Sequence, residues 1–176
     1  MATTTKWVID PSHSEILFKV KHMVITTVTG NFTEFNGSAE SADDFENASI
    51  SFEASIDSIS TNSEQRDGHL KSADFFEAEK FPKLTFASTK FTNKGDDKFE
   101  LVGDLTIKGV TKAVKLDVEY GGTVKDPYGN IKAGFELKGK INRKDFGLTW
   151  NAHTEAGGAL VSEEVRLEAT LDLVKA

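Results

Sequence analysis

Four histidines, at positions 13, 22, 69 and 153, are the first residues to test for chemistry. They are scattered, with no H-x-H pair and no H-E-x-x-H run, so the spacing that lets two imidazoles hold one metal ion is absent. His13 has Asp10, Ser12 and Ser14 beside it. Read as strand, these neighbours face opposite sides and form no triad, and there is no G-x-S-x-G elbow elsewhere. Asp145, Phe146 and Gly147 spell D-F-G, but the Gly-rich loop and H-R-D that give this a meaning in phosphoryl transfer are missing, so the segment reads as a turn salt-bridged through Arg143 and Asp145. The chain has no cysteine, which excludes disulfides, thiolate ligands and cysteine nucleophiles together. No metal, cofactor or catalytic residue is expected.

The stretch EQRDGHLKSADFF, residues 64–76, places Arg66, Asp67 and His69 directly before Phe75 and Phe76. Thr61 followed three residues later by Glu64 is a capping-box pattern, which predicts a short helix over 61–72, weakened by Gly68. Arg66 and Leu70 then share one helix face, with Gln65 and His69 beside them. Phe75, Phe76 and Phe81 follow before Pro82 restarts an extended chain. The segment reads as a lid: a short helix and an aromatic clasp across one end of whatever the rest of the chain builds. Its charges either satisfy backbone groups there, with Arg66 and Asp67 pairing, or meet the polar head of a ligand.

What the lid covers follows from a period of two that runs through almost the whole chain. In EILFKVKH, Ile16, Phe18, Val20 and His22 share a face, which puts His22 on the apolar side. In ASISFEASID, Ala48, Ile50, Phe52, Ala54 and Ile56 alternate with polar residues. Similar alternation sets Phe99, Leu101, Gly103, Leu105 and Ile107 on one face, then Val114, Leu116, Val118 and Tyr120. After the turn KDPYGN come Ile131, Ala133, Phe135, Leu137, Gly139 and Ile141. Val165, Leu167, Ala169, Leu171 and Leu173 form the last stripe. VTGNFTEFNGSAE keeps phase to Phe32 and then slips to Phe35, as one curved strand with a bulge or bend would. With WVID and KLTFASTKF the count is about eight or nine strands at hairpin spacing.

Strands this numerous and amphipathic must dispose of their edges, and closure into an antiparallel barrel does so. The fold expected is all-β, an extended barrel of about eight strands with a helical insertion. A barrel of that size either packs solid or holds one small ligand. Its inward sets mix aromatics with Gly30, Gly37, Gly103 and Gly139, which either relieve crowding or leave an elongated apolar cavity. If a cavity exists, parity puts Phe18, Val20, Phe32, Ile50, Phe52, Ile56, Leu105, Ile107 and Phe135 on its wall. His22, Arg66, Asp67, His69, Phe75, Phe76 and Arg143 would stand at its polar and aromatic end.

At 176 residues the chain is the size of one domain, spanning 1–176 with a tail of about five residues, and buries roughly 70% of its unfolded surface. Twenty-eight acidic against 21 basic residues give a net charge of -7, so the surface that non-specific nucleic-acid binding needs is missing. Nowhere do 18 apolar residues run together, so no transmembrane segment is expected. The opening MATTTKW lacks the apolar run of a signal peptide, which points to the cytoplasm. A periplasmic chain with its leader removed would read the same.

Several of these segments, in order, are similar to the YceI-like family: WVIDPSHSEILFKVKH, TGNFTEFNGS, QRDGHLKSADFF, KFPKLTF, GDLTIKGVTKAVKL, Gly134 with Phe135, and INRKDFG. The match runs from Trp7 to about Val174. The resemblance implies a lipocalin-like barrel with a helical insertion that binds, sequesters or transports a long-chain polyisoprenoid or related amphipathic lipid, with links to isoprenoid quinone metabolism or stress response. Many members are exported. The function expected is therefore a non-enzymatic lipid carrier, and a homodimer is compatible with it. Two other readings stay open: a small isomerase or cyclase using His69 or Asp67 as acid and base, and a structural β-domain with a filled core.

Overall fold

The computed structural model describes residues 4–23, 25–42, 45, 47–151 and 161–176, so His153 lies outside the described residues. β1 (Thr5–Ile9) buries Trp7 and Ile9, and a 3-10 turn (Pro11–His13) leads to β2 (Glu15–His22). β3 (Thr26–Phe32), β4 (Phe35–Ser41) and β5 (Ser49–Ser55) follow, then a second 3-10 turn (Ile56–Ser58), the two-residue β6 (Ile59–Ser60) and α1 (Glu64–Lys71). The remainder is β7 (Lys83–Gly95), β8 (Lys98–Ile107), β9 (Val110–Lys125), β10 (Ile131–Asn142), a third 3-10 turn (Arg143–Phe146) and β11 (Val161–Lys175).

Eight of these strands close a barrel. The order is β1-β4-β5-β7-β8-β9-β10-β11, and β1 pairs back onto β11 through Trp7 opposite Lys175, Val8 opposite Val174 and Ile9 opposite Leu173. All neighbours are antiparallel, as alternation with short hairpins requires. β2, β3 and β6 extend the sheet from the other half of β11, whose residues Val161 to Thr170 pair with β2. β11 therefore changes partner along its length. The switch is pinned at Asp172, whose carbonyl accepts from the Asp10 N–H at 2.8 Å and whose N–H donates to the buried Ser14 hydroxyl at 2.9 Å.

Charges reinforce that seam. Lys132 of β10 donates to the Asp10 carboxylate at 3.1 Å and stands 3.6 Å from Asp172. His13 and Ser12 also hydrogen-bond Asp10, and these contacts, that from His13 first, hold its carboxyl well below the usual range.

The phase slip at Phe32 to Phe35 marks a different event from the curved strand that parity suggests. The chain bends at Thr33 and Glu34 and changes sheet neighbours, β3 running with β2 and β6, β4 with β1 and β5. Hydrogen bonds from Thr33 N–H to Ser58 O at 3.2 Å and from Ser55 N–H to Glu34 O at 2.9 Å hold the bend. A slip of one residue exchanges the faces of a strand. Here it lets both Phe32 and Phe35 point inward on different parts of the sheet.

The inward glycines do relieve crowding, because aromatic and aliphatic side chains lie over them. A Cβ on Gly30 would stand 2.2 Å from the Phe18 ring, and one on Gly139 2.3 Å from Leu116. At Gly103 it would meet the Phe86 ring at 2.4 Å and the Ala87 carbonyl oxygen at 2.6 Å. Leu101, Leu105, Val118 and Phe135 belong to the main core, while Phe32, Ala54, Ile56, Ile59 and Ala78 form a second cluster that Leu70 and Phe76 join. No helix among the described residues is long and apolar enough to cross a membrane.

Gly103→Ala is expected to cost roughly 1–3 kcal/mol, since a backbone carbonyl cannot swing aside as a ring can. Gly68→Ala, with open space around it on α1, should instead gain up to about 1 kcal/mol. Urea denaturation of both variants checks the pair of signs.

Candidate functional site

The site is built around α1, a helix of eight residues, too short to be stable by itself. Its N-cap is Ser63, whose hydroxyl accepts from the Arg66 N–H at 3.3 Å, rather than Thr61. Thr61 has the larger task. It is buried, and both its N–H and its hydroxyl donate to one Asp67 carboxylate oxygen, at 2.8 and 2.5 Å. Its hydroxyl and carbonyl oxygens accept from Arg66 Nε and Nη2 at 2.7 and 2.6 Å. Arg66 and Asp67 thus meet on Thr61, not on each other, and lock the helix onto the end of β6. These are bracing contacts: Arg66 satisfies a backbone carbonyl, as one of the two roles the sequence leaves open has it, while the direct Arg66–Asp67 pairing is replaced by contacts through Thr61.

The aromatic clasp follows. His69 Nε2 lies 2.8 Å from an Asp74 oxygen, and the imidazole presents an edge-to-face contact to both Trp150 and Phe75, with centroids 4.7 and 5.1 Å away. The chain then turns back on the helix end, Phe76 N–H donating to Leu70 O and Ala78 N–H to Lys71 O, each at 2.9 Å.

Under the clasp lies a cavity of about 220 Å³, walled by Phe18, Val20 and His22 of β2, Phe32, Arg66, His69, Leu70, Phe75, Phe76, Ile107, Ile141, Arg143 and Trp150 among others. A second cavity of about 150 Å³ shares Phe18, Phe32 and Ile107 with it and extends along Phe52 and Leu105. A third of about 60 Å³ shares Ile50 and Leu101 with the second and reaches Phe135. The barrel interior is a row of three adjoining apolar spaces. Lys21, His22, Thr61, Arg66, His69 and Arg143 bring the polar side chains to the first space, and none of its wall residues among the described residues is a carboxylate.

Of the residues that parity assigns to the wall, Phe18, Val20, Phe32, Ile50, Phe52, Leu105, Ile107 and Phe135 line one or more of these spaces. Ile56 lines none of them. β5 ends at Ser55, so parity no longer applies one residue on. The Ile56 side chain is buried in the 3-10 turn against the second cluster, and its N–H donates to Pro82 O at 2.9 Å. Asp67 is likewise off the wall, turned to Thr61. Trp150, Leu148 and Val161 are wall residues that sequence reasoning misses. The first two lie in a non-repetitive segment with no period to read.

Arg143 is buried, and it does not pair with Asp145, which is exposed and in no ion pair among the described residues. Its guanidinium donates to four carbonyls: Ser162 at 2.8 Å from Nε, Leu148 and Trp150 at 2.6 and 2.9 Å from Nη1, and Val161 at 3.2 Å from Nη2. Burial pushes the guanidinium below its ordinary value, with Glu163 opposing. The residue ties the third 3-10 turn and the Trp150 segment to the start of β11, closing the cavity wall from behind.

Asp10, Ser12 and His13 do come together, because they sit in a 3-10 turn and not on a strand. Ser12 Oγ is 3.2 Å and Asp10 Oδ2 2.8 Å from the same nitrogen, His13 Nδ1. A relay needs the carboxylate on one ring nitrogen and the hydroxyl on the other. Asp10, His13 and Asp172 also present ligand-type atoms within 4.8 Å of one another. The Lys132 ammonium lies between the two carboxylates, which makes the group an ion cluster of the seam.

With this geometry established, comparison with known proteins becomes informative. The YceI-like domain family matches residues 7–173. A UPF0312 protein of Staphylococcus aureus (strain N315) is 36% identical over 170 residues, covering 96% of each chain. A YceI protein of Campylobacter jejuni is similar in structure with a TM-score of 0.76 and 33% identity, over 90% of this chain and 91% of that one. A polyisoprenoid binding domain from Saccharophagus degradans shares the fold, with a TM-score of 0.67 at 15% identity over 97% and 98% of the two chains.

Arg143→Met is expected to destabilise the protein by several kcal/mol, because a hydrogen bond to a charged group is worth roughly 1.5–3 kcal/mol and water can replace only some of the four. Arg143→Lys, a single point charge without the planar fork, should recover only part. Thermal unfolding of the two variants against the parent checks the ranking.

Proposed function

The chain belongs to the YceI-like family, and from that premise we propose that it binds one long apolar chain, a polyisoprenoid or a related amphipathic lipid, inside the barrel and carries or sequesters it without turnover. The observation that carries this reading is the row of three adjoining apolar spaces, with the basic side chains of their described wall residues gathered at the lid end. A tail lying along Ile107, Phe52, Ile50 and Phe135 leaves water entirely, and its head stays near α1. The polyisoprenoid binding domain of S. degradans, similar in fold, is consistent with a ligand of this shape.

Binding, rather than catalysis, is what the titratable groups support. Asp67 is committed to Thr61, His69 to Asp74 and Arg143 to four carbonyls, so an acid–base pair aimed into the cavity would first have to break the contacts that hold the lid. Affinity then comes from burial of hydrocarbon at roughly 0.8 kcal/mol per methylene, which selects by length and apolarity more than by head group.

The test is displacement of a fluorescent lipid probe by straight-chain alcohols of increasing length. Affinity should rise roughly fourfold per methylene until the row of cavities is full, then level off. Ile107→Trp, on the wall between the first two spaces, should bring the plateau to shorter chains. An affinity that ignores chain length, or a plateau unmoved in Ile107→Trp, overturns the reading.

A further inference from the structure

Most of the exposed large apolar side chains among the described residues sit at two hairpins. Met23 and Ile25 lie at the β2–β3 tip, 42% and 77% exposed; Val124 and Tyr128 lie at the β9–β10 hairpin. The two sites differ in what adjoins them. The stem of the β2–β3 hairpin supplies Val20, Lys21, His22 and Val28 to the wall of the cavity under the clasp, whereas Tyr128 lines none of the three interior spaces. Two apolar side chains exposed together, next to the end of an apolar cavity, mark a surface that meets something apolar.

Among the described residues the unpaired charge beside that tip is basic, although the chain as a whole carries -7. Lys21 is exposed and in no ion pair among the described residues, and the other titratable side chains of the cavity wall are His22, Arg66, His69 and Arg143. The neighbouring carboxylates of β11 are neutralised locally, Glu163 by Lys144 at 2.7 Å and Glu164 by Lys140 at 3.7 Å. Glu168 is likewise matched with Lys19 at 3.3 Å.

We propose that the β2–β3 tip docks on an anionic lipid bilayer, Met23 and Ile25 entering the interface and Lys21 facing the headgroups, so that the cavity end between this hairpin and α1 opens toward the membrane. The proposal rests on the lipid-cavity reading and adds where the lipid enters and leaves. Apolar side chains supply the insertion and basic ones the attraction to anionic lipid, which is the combination that holds a protein on a bilayer surface.

The experiment is co-sedimentation of the full chain with vesicles of phosphatidylcholine alone and of phosphatidylcholine mixed with phosphatidylglycerol. The protein should sediment with the mixed vesicles and be released by salt. Met23→Ser combined with Ile25→Ser should weaken binding roughly tenfold or more, Lys21→Glu should weaken it on mixed vesicles alone, and Tyr128→Ser should leave it unchanged. No sedimentation of the parent, equal binding of the double variant, equal loss with Tyr128→Ser, or indifference to phosphatidylglycerol would each overturn the proposal. So would a drop in solution mass on making the double variant, which would show a second copy covering the tip. Native mass spectrometry for bound lipid separates the two readings: protein that holds lipid yet ignores vesicles refutes the docking alone, and protein that docks yet holds none refutes the cavity reading alone.

Discussion

One edge of β11 has to satisfy two partners while β10 takes the other, and the rest of the molecule depends on how it does so. Its first two-thirds pair with β2 and its last residues with β1, so the same strand closes the barrel and carries the three-strand extension. The change of partner takes place at Asp172, whose N–H donates to the Ser14 hydroxyl and whose carbonyl accepts from the Asp10 N–H, while Lys132 on the neighbouring strand faces its carboxylate. Without that handover β1 and the last residues of β11 would be left as open edges, a template for pairing with other chains. With it, the interior is sealed along its side and open to substitution only at its ends.

A sealed interior has to be filled or left hollow, and this chain does both. Where Gly30, Gly103 and Gly139 would leave gaps, Phe18, Phe86 and Leu116 lie over them, so the glycines buy close packing and not volume. The volume arises elsewhere, from aromatic and branched residues that cannot all meet across a barrel of eight strands. One end of that volume is capped by a helix with no buried residue of its own, held instead by Arg66 and Asp67 on Thr61 and by the His69, Phe75 and Trp150 rings. A lid fastened by a few polar contacts and rings can open at less cost than a strand pair can. That places a lightly held element over the largest of the three interior spaces.

Much of this is legible in the sequence because a two-residue period is a direct record of which side faces inward. Phe18, Ile50, Phe52, Leu105, Ile107 and Phe135 reach the cavity walls for that reason. The record stops where the strand stops. Ile56, one residue past β5, turns into a second cluster, and Trp150, in a segment with no period, becomes a wall residue unannounced. Side-chain to backbone partnerships are the other blind spot. Arg143 beside Asp145 suggests an ion pair, and Thr61 before Glu64 suggests a helix cap. In both cases a carbonyl or carboxylate a few residues further on, with two carbonyls of β11 in the case of Arg143, takes the place of the partner the spacing suggests.

The proposed function requires the hollow part of the barrel to hold a hydrocarbon chain. Native mass spectrometry of the protein purified without detergent measures this most directly. A single lipid bound at one per chain, released on collisional activation and identified as a long apolar chain, is the result expected. Protein that flies at its bare sequence mass, and stays so after incubation with polyprenol or long-chain alcohol, would contradict it.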